Sequence, residues 1–162
     1  MKNLRNALAV MVLALATASF ASDAQASFEK LKTLEGNWAG KAMGRDLQVS
    51  FRVTSKGSAI MSEIHGPENM ISMIHLDGDR LMLTHYCDTG NQPRMVGTVS
   101  PDGKSVTFNF LDVTNLLSSQ PGHMVRMTLT MLDADHHTEL WEFQDAAGKA
   151  QQHEAFDLQR VK

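Results

Sequence analysis

The chain has a single cysteine, Cys87, among its 162 residues, so no intramolecular disulfide can form and a folded domain must be held by its core. An excess of charge of either sign is also missing. Fifteen basic residues face eighteen acidic ones with no basic cluster, which argues against nucleic acid and against anionic membrane surfaces as partners. No long hydrophobic run follows residue 20, leaving no integral membrane segment in the remainder of the chain. Gly-x-Ser-x-Gly, His-Glu-x-x-His and phosphate-binding glycine loops are all absent, and Glu139 and Glu142 would lie on opposite faces of a strand rather than act as a paired acid and base. No catalytic residue is assigned, and the expectation is a non-enzymatic protein. Internal repeats, low-complexity tracts and interdomain linkers are absent as well.

What is present begins with an export signal. Lys2 and Arg5 precede the apolar stretch Ala7 to Phe20, and Ala24-Gln25-Ala26 has the small-x-small form cut by a signal peptidase, with Ser19-Phe20-Ala21 as the alternative site. Residues 1–26 are read as a cleaved signal peptide and 27–162 as one domain, exported to the periplasm or the extracellular space. Losing Lys2, Arg5 and Asp23 leaves 13 basic and 17 acidic residues, a balance of −4 over 136 residues, a length that suits a single core.

Phe28, Leu31 and Leu34 share one helical face, enough for a short helix covering one end of a domain. After it the period changes from helical to two. Leu47, Val49, Phe51 and Val53 alternate with Gln48, Ser50, Arg52 and Thr54, as in a half-buried strand. Ser55-Lys56-Gly57-Ser58, Asp77-Gly78-Asp79, Pro101-Asp102-Gly103-Lys104, Asp133-Ala134-Asp135 and Asp145-Ala146-Ala147-Gly148 all carry hairpin chemistry. Strands are predicted near 37–43, 46–54, 58–65, 70–76, 80–87, 94–99, 105–111, 124–132, 138–143 and 151–160. Ten strands in sequential hairpins make an all-β, antiparallel up-and-down barrel, whose closure removes the exposed edges of an open sheet. Residues 112–123 are expected to form a surface loop, with a lid over one mouth as the alternative.

Gly36-Asn37-Trp38-Ala39-Gly40 resembles the first-strand motif of the lipocalin and fatty-acid-binding (calycin) superfamily. The longer run to Gly44 resembles the nitrobindin branch, Gly-x-Trp-x-Gly-x-Gly-x-Gly, with Ala42 replacing the third glycine, and His153 to Arg160 resembles that branch's close. Leu83 to Met95, LTHYCDTGNQPRM, resembles secreted bacterial lipocalin-like proteins of unknown function. The resemblance implies a barrel plugged at one end by Trp38, with a lumen for a small hydrophobic or amphipathic molecule. The nitrobindin likeness implies an alternative in which haem is the cofactor and His153 its axial ligand. A structural or envelope-interaction role is a further alternative.

Candidate ligand-binding residues are Trp38, His65, His85, Tyr86, Arg94 and Arg126. His65, His75 and His85 recur every ten residues, but antiparallel strands put His75 at the opposite rim. His65 and His85 would stand roughly 9.5 Å apart, two strand spacings. No metal is assigned, and these histidines are expected to be hydrogen-bonded at the rim or in the lumen. Arg94 or Arg126, if turned inward, needs a carboxylate, either Glu63 or an acidic ligand head group. Arg94, Tyr86, Asn91 and Gln92 form the densest polar cluster. His136-His137 is expected in a solvated turn with no role. Nine methionines in the mature chain, one or two per strand, would fill the core or line an adaptable lumen.

Overall fold

The structure, a computed structural model, describes residues 23–66 and 69–162, with the side chains of Gln152 and His153 excepted. Most of the expected signal peptide lies outside the described residues. A helix, α1 (Asp23–Lys32), runs through the expected cleavage site at Ala26 and begins five residues before the helical stretch expected from Phe28. Ten strands follow in the order the turn signals require: β1 (Gly36–Ala42), β2 (Arg45–Thr54), β3 (Ala59–His65), β4 (Met70–Asp77), β5 (Arg80–Tyr86), β6 (Gln92–Val99), β7 (Ser105–Thr114), β8 (His123–Met131), β9 (His136–Gln144) and β10 (Ala150–Arg160).

Each strand pairs antiparallel with the next, and β1 pairs with β10 to close the barrel, with Trp38 opposite Arg160 and Ala42 opposite Phe156. The fold is therefore the all-β, ten-stranded antiparallel barrel with one short helix that the alternation and the turns predict. Hairpin geometry follows from residue choice: β1 and β2 are joined by Met43-Gly44, both at positive φ (48° and 79°), the twist a two-residue hairpin demands. β7 runs three residues beyond its expected end, so the expected loop shortens to residues 115–122.

Period-two alternation sorts the side chains. Leu47, Val49 and Phe51 of β2 are buried, whereas Gln48 and Arg52 lie outside. α1 covers one end, burying Phe28 and Leu31 with Leu34 just beyond it, against β4, β5 and β6. At that closed end Trp38 is fully buried and its Nε1 donates to the Leu34 carbonyl at 2.8 Å. The opposite mouth is formed by the β1–β2, β3–β4, β5–β6, β7–β8 and β9–β10 connections. The three register shifts of the barrel, at Arg94/Met95, Met124/Arg126 and Gln152/Glu154, all lie near this mouth, where bulges bend strands away from regular pairing.

Candidate ligand site at the open mouth

A cleft opens at the uncovered end. Its walls are Leu47 of β2, Ile64 of β3, Met70 of β4, Met124 of β8 and Phe156 of β10, and its rim carries Arg45, Asp46, Asp88 and Glu154. These residues meet because each lies within a few positions of a strand end at the same mouth. The cavity volume is about 50 Å³, enough for a few water-sized groups and far below the roughly 300 Å³ at which drug-sized pockets begin. Deeper in, the lumen is filled: Phe108, Leu83, Met95 and Met127 are at most 2% exposed. Met95, Met127 and Met131 thus pack the core, Met70 and Met124 line the cleft, and Met43 is exposed in its turn. The side chain of His153, the axial ligand of the haem alternative, lies outside the described residues.

Below the cleft a series of polar groups runs through the largely apolar core toward the closed end. Ser72, two residues deeper than Met70 on β4, is hydrogen-bonded through Oγ to His85 Nδ1 at 3.0 Å. The His85 ring stands 4.7 Å from that of Trp141. Trp141 Nε1 donates to Glu139 Oε2 at 3.0 Å, and the second carboxylate oxygen is 3.4 Å from His137 Nε2. His85, His137 and Glu139 are each at most 2% exposed, yet His85 Nε2 and His137 Nδ1 have no hydrogen-bond partner. Burial drives the His85 pKa down to about 4, because a charged imidazole would lose its hydration there, so the ring is neutral at pH 7.

The residues expected at a site from the sequence divide between the two surfaces of the barrel. Trp38 and His85 face inward. His65 is exposed and meets Ser50 Oγ at 3.0 Å, and Tyr86 is 49% exposed. Arg94 lies on the outer surface in a two-point pair with Asp112, its Nε donating to Oδ1 at 2.6 Å, and that hydrogen bond holds the Asp112 carboxyl below the usual carboxylate range. Arg126 is outside too, donating to Glu142 at 3.1 Å and to Asn109 at 3.2 Å. Neither arginine turns inward: both find carboxylates on neighbouring strands at the outer surface, where the desolvation opposing an ion pair is small. Asn91 separates from Arg94 and Tyr86, being buried with Nδ2 donating to the Gly122 carbonyl at 2.9 Å.

A second correction concerns His136-His137. β9 starts at His136, so this pair belongs to a strand rather than to a turn, and His137 is fully buried, edge-on to Trp38 at 4.3 Å. The sequence holds a signal for it: residues 137, 139 and 141 share the face that carries Trp141. Ser72 left no such trace, whereas Phe156 and Leu158 alternate with Asp157 and Gln159 in the period of a half-buried strand. Cys87 is buried and its thiol pKa is pushed up by burial. Among the described residues no group of three or more His, Cys, Asp or Glu side chains is arranged to hold a metal ion.

No protein-family model and no curated protein matches the chain. Among solved structures it is similar to Rv2717c from M. tuberculosis, with a TM-score of 0.60 and 16% identity over 84% of this chain and 98% of that one. It is also similar to a protein of unknown function from the DUF3598 family of Nostoc punctiforme, with a TM-score of 0.54 and 12% identity. That match covers 81% of this chain and spans about half (49%) of the Nostoc protein. At such identities the likeness is one of fold alone.

Proposed function

We propose that this protein is an exported, non-enzymatic barrel that binds a small apolar or amphipathic molecule at its open mouth. The observation that carries the reading is the cleft itself: five apolar side chains from five strands converge at the uncovered end beneath a rim of charged groups, the arrangement of a concave site that grips an apolar body and leaves a polar part in water. Met70 and Met124 supply the adaptability. Their unbranched thioether chains change rotamer at low cost, so a cleft that is narrow when empty widens around a guest. The rim carries Arg45 together with Asp88 and Glu154, while Asp46 is paired with Lys41 at 2.8 Å, so a neutral or zwitterionic head group suits it better than a carboxylate. Export is supported by the leader-like character of residues 1–26.

The test is titration of the mature protein with an environment-sensitive fluorescent apolar probe. Binding with a stoichiometry near one is expected, and Ala42→Leu, which adds three carbons to the cleft wall, should abolish it while circular dichroism stays unchanged. A folded protein that binds no apolar probe would sink the reading. Uptake of hemin with a Soret band at one equivalent would replace it with the haem-binding alternative.

A further inference from the structure

A buried imidazole nitrogen without a partner is rare in folded proteins, because it forfeits hydration and receives nothing in return. His85 Nε2 is such an atom, in a side chain 1% exposed. The ring is hydrogen-bonded at Nδ1 to Ser72 Oγ and flanked by Trp141. Its place relative to the mouth follows from register. Met70 lines the cleft and Ser72 lies two residues further in, roughly 6 to 7 Å along the strand. Glu154, on the cleft rim, is the register partner of Trp141, whose ring lies 4.7 Å from that of His85 at an angle of 46°. Along β4 Met70 thus lies between the cleft and the level of Ser72 and its register partner His85.

From this placement we propose that His85 is the deep recognition group of the mouth site, and that the ligand carries a neutral hydrogen-bonding group, such as a hydroxyl, carbonyl or amide, on the end it buries. The inference rests on the mouth-binding reading above and adds to it a second polar group at the ligand's buried end: that end displaces the Met70 side chain, the apolar body lies against Ile64, Leu47 and Phe156, and any head group stays at the rim. An anionic head group is excluded from the deep position, because neither Ser72 nor neutral His85 supplies a compensating positive charge. Ser72 Oγ fixes the imidazole, and the ligand satisfies whichever role, donor or acceptor, Nε2 is left with.

The experiment compares 4-butylphenol with 4-butyltoluene as competitors of the fluorescent probe. Wild type is expected to prefer the phenol about tenfold, the scale of one buried hydrogen bond, and His85→Phe to bind both within twofold of each other. Nitrogen-15 spectra of the imidazoles give a readout independent of the variant's folding: the His85 Nε2 resonance should shift on adding the phenol and stay in place with the toluene. Displacement of the probe by both compounds with no preference, or a preference retained in His85→Phe, overturns the role of His85 and leaves the mouth site standing. Failure of the probe itself to bind folded wild type defeats the mouth-site reading and this inference with it.

Discussion

The guanidinium of Arg160, the last residue of β10, lies 4.2 Å from the ring centre of Trp38 in β1, while its nitrogens donate to the carbonyls of Thr33, Glu35 and Ala134. One side chain thereby joins the linker after α1, the first strand, the last strand and the β8–β9 turn across the barrel seam. Trp38→Ala should cost about 3 to 5 kcal/mol, the range for deleting a buried large aromatic, as read by urea unfolding. Arg160→Lys should recover little of the loss caused by Arg160→Ala, since an ammonium cannot span three carbonyls from a planar fork.

Gly40 has a steric role. A Cβ there would stand 1.8 Å from the Asp157 carbonyl oxygen of the paired strand, a backbone atom that cannot rotate away. Gly40→Ala should therefore open the β1–β10 seam, either preventing folding or costing about 3 kcal/mol, measured by thermal unfolding. A midpoint within two degrees of wild type would show that the seam yields.

His85 sets a pH dependence. A base whose folded pKa, about 4, lies below its ordinary 6.5 takes up its proton preferentially in the unfolded chain. Its contribution is complete above pH 6.5 and is lost as the pH falls from there toward 4, by about 3 kcal/mol in all. His85→Phe should lack this component, so the stability difference between variant and wild type, by urea titration at each pH, should be flat above pH 7 and move in favour of the variant below 6.5. A difference independent of pH would place the imidazole in water.

Arg94→Ala should leave the affinity for both carboxylated and neutral probes unchanged, because the guanidinium is outside the barrel and engaged with Asp112. A selective loss for the carboxylated probe would bring Arg94 into the site.

The number of strands, their order and their antiparallel hairpins are legible in the sequence, because these depend on local quantities, residue period and turn chemistry; the burial of Trp38 is what the first-strand resemblance implies. The sequence did not determine that polar side chains would share the inner face of a strand. In β9, His137, Glu139, Trp141 and Phe143 alternate with His136, Thr138, Leu140, Glu142 and Gln144, so the two aromatics mark one face as inward while two ionisable groups on that same face argue against its burial. The tertiary structure decided it: the pairing of β9 with β8 and β10 puts Leu140 at the surface and sends His137 and Glu139 inside. Similarly, Asp112 and Glu142 became available to Arg94 and Arg126 only through cross-strand pairing. The filled lumen, the cleft at the mouth and the unpartnered nitrogen of His85 are likewise products of packing between residues far apart in the chain, which no local pattern encodes.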